Sequence, residues 1–195
     1  TSTCMVPLVF LRMGSVVAGQ LGMSLQIVNA LLQISMVWLT TKVPMLCNLI
    51  ALKNFNKLNG TFKEWSFKSF YIQCFLTVSA IFFIWMVKLL YPYMGNRVVD
   101  MMAFIFLAVG SLASFPNFAY STYLRAHKQE VTAFANLIVG SMIIISIYFM
   151  GGIGNILAIS IIWLVGNLFL SFWVYLLYRK YRKLWHVGPV KACER

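Results

Sequence analysis

Acidic side chains are nearly missing from this 195-residue sequence: Glu64, Asp100, Glu130 and Glu194 are all it has. Histidine occurs twice, as His127 and His186, both outside the long apolar runs. Proton transfer and metal ligation depend on such groups, and none of these forms a dyad, an HExxH, a GxSxG or a phosphate loop. An enzyme is therefore not expected, and neither is a metal or another cofactor. Cysteine is also sparse. Cys4, Cys47, Cys74 and Cys193 show no CxxC pairing and no histidine at ligand spacing, which marks them as ordinary buried or membrane-facing thiols. No low-complexity tract is present, and no segment of ~20–50 residues repeats.

Charge of either sign is scarce. Only 10% of the residues are charged and 61% are apolar, with a mean hydropathy of +0.82, whereas a soluble domain is about a quarter charged. The excess of sixteen basic over four acidic residues would suggest nucleic acid in a soluble chain. Here the basic residues lie between apolar runs, so they report membrane topology and no nucleic-acid partner is expected.

Five runs approach the ~20 residues needed to cross a bilayer. They cover roughly 16–40, 70–91, 100–121, 132–150 and 155–178, which predicts an all-α, polytopic helical membrane protein with about five transmembrane helices in residues 1–185. Residues 1–11 are apolar but too short to span, and they lack the basic start and cleavage site of a signal peptide. They are expected to be the end of a helix whose beginning lies outside this chain, making it a C-terminal portion of a longer protein. In the connector 41–69, Pro44 suits a helix restart and 45–53 suits a short interfacial helix, with a turn at Asn54, Asn56, Asn59 and Gly60. Tyr91-Pro92-Tyr93-Met94-Gly95-Asn96 predicts a tight aromatic turn at the membrane boundary, and Gly151-Gly152-Ile153-Gly154 an uncharged hairpin. Residues 186–195 are expected to be a tail.

Five Lys or Arg fall in 41–69, two in 123–130 and six after Tyr178, against only Arg12, Lys88 and Arg97 on the opposite side. The positive-inside rule then places the C-terminus in the cytoplasm. Arg179, Lys180, Arg182 and Lys183 are expected to fix that orientation and to touch anionic lipid headgroups.

Inside the spans, polar residues fall on single helical faces. Gly22, Gln26, Asn29, Gln33 and Thr40 follow one another by four, three, four and seven residues. Gly110, Ser114, Asn117 and Ser121 repeat the pattern beside Pro116, as do Thr132, Asn136 and Gly140, and Ser160, Asn167, Ser171 and Tyr178. Small and polar residues at four-residue spacing also pack membrane helices closely, and both packing and a water-filled cavity fit the last three stripes. Two glutamines and an asparagine in one span favour a cavity, because so much amide is costly to seal in hydrocarbon. Lys88 can snorkel to the outer surface or line a cavity and attract an anion. Arg125 serves either topology or phosphate contact.

Gly19-Gln20-Leu21-Gly22-Met23-Ser24-Leu25-Gln26, Trp38, Lys42-Val43-Pro44, Leu49-Ile50-Ala51, the Tyr120 to Ala126 segment with its Tyr-Leu-Arg-Ala, Gly151 to Asn155 and Tyr178-Arg179-Lys180 together resemble bacterial polysaccharide flippases. These are the O-antigen and lipid-linked oligosaccharide translocases of the MATE-like multidrug/oligosaccharidyl-lipid/polysaccharide superfamily. The resemblance implies one lobe of a MATE-like two-lobe transporter in the bacterial inner membrane. Such a protein carries an undecaprenyl-diphosphate-linked repeat unit across by alternating access. Its expected partners are the lipid-linked oligosaccharide, membrane lipids and the polysaccharide polymerase machinery. Gln26, Asn29, Gln33, Ser114, Asn117 and Asn167 become candidates for the substrate cavity, and Lys88 and Arg125 for anion contacts. An ion-coupled multidrug or metabolite antiporter of the same superfamily stays open as an alternative, as does a membrane polymerase or glycosyltransferase. The antiporter should carry an intramembrane acid, and the enzymes larger outer loops, than this sequence shows.

Overall fold

The computed structural model describes residues 2–95, 97–126, 131–150 and 155–187. The 151–154 hairpin, residues 127–130 of the third connector and the tail from 188 onward lie outside the described residues. Eight helices, and no strand, occur among those described: α1 (Ser2–Met13), α2 (Ser15–Thr40), α3 (Val43–Ala51), α4 (Phe55–Leu90), α5 (Pro92–Gly95), α6 (Met101–Ala126), α7 (Val131–Met150) and α8 (Ile156–Val187). Five stretches, Ser15–Ala51, Phe55–Leu90, Met101–Ala126, Val131–Phe149 and Ile156–Arg182, are long and apolar enough to cross a membrane. The chain is thus an all-α, multi-pass membrane protein.

Local chemistry explains the breaks. Gly14, at φ 89°, supplies the backbone conformation that separates α1 from α2. Pro44 opens α3, where its missing N–H would have had no helical acceptor. At the end of α3 the Asn54 N–H reaches back to Leu49 O at 3.1 Å and the Lys53 N–H to Ile50 O at 3.0 Å, with Lys53 left-handed at φ 54°. This pair of bonds satisfies carbonyls that the helix end leaves open. Asn54 then caps α4 by accepting from the Lys57 N–H at 3.3 Å.

One expectation is corrected here. Asn56, Asn59 and Gly60 form no turn; they lie within α4, which starts at Phe55 and runs for 36 residues. The lysine-rich first turns stay helical because Leu58 and Phe62, four apart, are buried, Phe62 against Tyr123 of α6 and Tyr178 of α8. At 1.5 Å per residue α4 is ~54 Å long, well beyond the ~30 Å of hydrocarbon. Its lysine-bearing start therefore stands outside the apolar layer. The expected interfacial helix is α3, and the aromatic turn contains α5, where a β-carbon on Gly95 would meet Lys88 Cα at 2.9 Å.

Packing forms two apolar clusters. One contains Met5, Leu21, Leu25, Val28, Phe104 and Leu107 together with Ile143 and Ile159. The other contains Leu32, Leu39, Leu46, Leu58, Phe62, Phe115, Tyr123 and Tyr178. The most extensive helix pair is α6 on α8. At one end of the bundle the Arg12 guanidinium lies 4.1 Å from the centre of the Tyr148 ring. The other end holds Lys42 and Lys68 against Trp65, at 4.5 and 4.7 Å from its ring centre, as expected for an interfacial belt.

Candidate functional site

Between the two apolar clusters lies a polar layer. On α6, Leu107 and Ala108 belong to the first cluster and Phe115 and Ala119 to the second, with Ser111 and Ser114 between them. On α2, Asn29 falls between Val28 and Leu32; on α8, Asn167 falls between Trp163 and Leu170. Ser69, Gln73 and Thr77 contribute the same stratum from α4, all buried to 1% exposure or less. The layer thus separates the two apolar clusters within the bundle.

Hydrogen bonds tie it together across helices. Ser114 and Asn167 meet at 2.8 Å, joining α6 to α8, and Asn167 Nδ2 donates to Trp163 O at 2.7 Å. Ser114 Oγ also lies 2.9 Å from Gly110 O, so its single proton chooses between that carbonyl and Asn167 Oδ1. Asn117 Nδ2 donates to Asn136 Oδ1 at 3.2 Å, joining α6 to α7. Ser171 Oγ donates to the Ala113 carbonyl one turn further along the α6–α8 seam. Gln73 Nε2 reaches Ser111 Oγ at 3.4 Å, while Gln73 Oε1, Ser69 Oγ and Trp163 Nε1 are buried without a partner.

These side chains surround a cavity of about 310 Å³, at the lower end of the ~300–1,000 Å³ usual for ligand pockets. Amides and hydroxyls line it from four helices: Asn29 from α2, Ser111, Ser114, Asn117 and Ser121 from α6, Asn136 from α7, and Asn167 from α8. Among the described residues Arg125 contributes the only charge to the lining, and no carboxylate lines it. Such walls donate and accept hydrogen bonds without selecting strongly for charge, which suits hydroxyl-rich ligands.

Of the sequence candidates, Asn29, Ser114, Asn117, Asn167 and Arg125 line this cavity together. Gln26 and Gln33 share the helical face of Asn29 but are exposed on the side of α2 and do not line it. Lys88 is placed elsewhere. Its Nζ donates to Val99 O at 2.7 Å, and the Val99 N–H in turn donates to Ser24 Oγ at 3.2 Å, so Lys88 serves to clamp the segment that enters α6. Ser69, Gln73 and Thr77, absent from the expected stripes, carry the same spacing by four, and the structure adds them to the buried polar layer. Among the described residues no group of His, Cys, Asp or Glu could hold a metal ion. Cys47 and Cys74 are free thiols.

Comparison of the chain with protein-family models, with curated proteins and with solved structures returns no match.

Proposed function

We propose that this chain forms a lobe of a membrane transporter that passes a lipid-linked oligosaccharide across the bacterial inner membrane by alternating access. The observation that carries this reading is the amide- and hydroxyl-lined cavity within an otherwise apolar bundle. Polar groups are expensive in hydrocarbon, and inside a membrane bundle they line the paths of polar cargo. Asn29, Asn117, Asn136 and Asn167 replace water around sugar hydroxyls, and Arg125, at the basic end of α6, meets a phosphate. The cavity matches a single sugar subsite in volume, not a whole repeat unit, so the remaining contacts come from a facing lobe. Among the described residues no carboxylate lines the cavity, which favours this cargo over an ion-coupled drug or metabolite. The lysine- and arginine-rich end of the bundle faces the cytoplasm, following the positive-inside rule.

Complementation tests the proposal. Deleting the full-length gene should remove surface polysaccharide and leave lipid-linked repeat units on the inner leaflet. Wild type should restore the polysaccharide, whereas Asn117→Leu combined with Asn167→Leu should not, despite normal membrane levels. Unchanged surface polysaccharide in the deletion strain, with no paralogue present, refutes the reading.

A further inference from the structure

A second cavity, of about 550 Å³, opens at the basic end between α4, α6 and α8 and shares no lining residue with the first. Lys63, Arg179 and Arg182 line it together with the aromatic rings of Tyr120, Tyr175 and Tyr178. None of the three cations has an acidic partner among the described residues; the ion pair found there joins Lys68 to Glu64 at 2.6 Å. The guanidinium of Arg179 lies 5.9 Å from the Tyr175 ring centre and that of Arg182 lies 6.0 Å from Tyr178. Contacts with ring faces steady these side chains while leaving N–H groups for an anion.

Depth supplies the second half of the inference. Counting the ~20 residues of a membrane span back from Leu90 brings α4 to the hydrocarbon edge near residue 70. Lys63 and Ser66 then stand at headgroup level, as do the last turns of α8. Directly below lies an apolar cleft of about 230 Å³ that shares Ser66, Phe67 and Tyr120 with the basic cavity. It continues along Phe70, Phe115, Pro116 and Ala119, which run inward on α4 and α6. Three cations above a contiguous apolar slot match one kind of ligand, a phosphate headgroup carrying a hydrocarbon chain.

We propose that the α4–α6–α8 flank is a binding site for an anionic phospholipid, with the phosphate held by Lys63, Arg179 and Arg182 and an acyl chain in the Phe70–Phe115 cleft. The site stands independently of the transport reading, because it shares no lining residue with the polar cavity.

The test uses the purified, delipidated full-length protein, followed by thermal unfolding and native mass spectrometry. Phosphatidylglycerol should raise the unfolding temperature and remain bound, phosphatidylcholine should do neither, and Lys63→Gln, Arg179→Gln and Arg182→Gln together should weaken phosphatidylglycerol binding at least tenfold. Lys53→Gln with Lys57→Gln removes two basic residues from the same end that do not line the cavity, and should leave binding unchanged. Glycerol 3-phosphate and inorganic phosphate, which lack the chain, should bind far more weakly. Equal stabilisation by phosphatidylcholine, an equal loss in the Lys53/Lys57 variant, or a triple variant that folds and still binds phosphatidylglycerol would each overturn the site. Inorganic phosphate binding as tightly as the lipid would overturn the acyl slot.

Discussion

Gly110 faces the α6–α8 seam, and replacing it with alanine tests whether that seam is as tight as the polar layer requires. A β-carbon there would lie 2.8 Å from Trp163 Cδ1, 3.2 Å from its Nε1 and 3.4 Å from Leu164 Cα. Comfortable carbon contacts begin near ~3.5 Å, so the overlap with the ring is roughly 0.7 Å. Trp163 is only 6% exposed and Leu164 Cα is backbone, which leaves separation of the helices as the main escape. Moving apart also stretches the 2.8 Å Ser114–Asn167 bond one turn away. Overpacking of this kind costs ~1–3 kcal/mol. Alanine for glycine within a helix returns ~1 kcal/mol, so the net expected loss is ~0–2 kcal/mol. Gly19 and Gly60 are helical with nothing within 4 Å, and Gly19→Ala and Gly60→Ala should each gain ~0.5–1 kcal/mol. Equilibrium unfolding in mixed micelles, read by tryptophan fluorescence, gives all three values. The gap between Gly110→Ala and the two controls isolates the steric cost, and a Gly110→Ala protein as stable as Gly19→Ala would refute the close approach.

Four further substitutions probe other contacts. Phe62→Ala empties a site that is 4% exposed and ringed by Tyr123 at 4.8 Å and Tyr178 at 6.0 Å, and should cost about 3–5 kcal/mol in the same unfolding assay. Lys88→Met leaves the buried Val99 carbonyl without its donor and should cost about 1–3 kcal/mol, with complementation per molecule unchanged; a transport defect at normal stability would instead make Lys88 an anion contact. Gln73→Leu removes a buried oxygen that has no partner and only one long hydrogen bond, so stability should hold or rise, and a loss above about 1 kcal/mol would argue for an unseen partner. Lys53→Gly relieves a left-handed lysine and should stabilise the α3–α4 junction by about 1 kcal/mol, measured as a shift in the unfolding midpoint.

Much of the candidate site was legible in the residues that compose it. The stripe Gly110, Ser114, Asn117 and Ser121 lies on α6 as its spacing predicts, and all four are buried. Asn29, Asn136 and Asn167 were visible for the same reason. Gln26 and Gln33 show the limit of that signal: periodicity gives a common face but not what the face meets, and only Asn29 reaches the cavity. The start of α4 was obscured differently. Its lysines and asparagines resemble a polar connector, while the helix survives there through two buried side chains, Leu58 and Phe62, the latter packed on Tyr123 and Tyr178 toward the far ends of α6 and α8.

Membrane class, the number and approximate limits of the spans, and the concentration of basic residues at one end follow from the sequence alone. They depend on composition along the chain measured against a fixed hydrocarbon thickness, and no long-range contact enters. Only the tertiary structure decides that Ser114 meets Asn167, that Asn117 meets Asn136, that Lys88 closes on Val99, and that Lys63 joins Arg179 and Arg182. Those meetings depend on how each helix is turned about its axis, which is set by close packing such as Gly110 against Trp163 between residues distant in sequence.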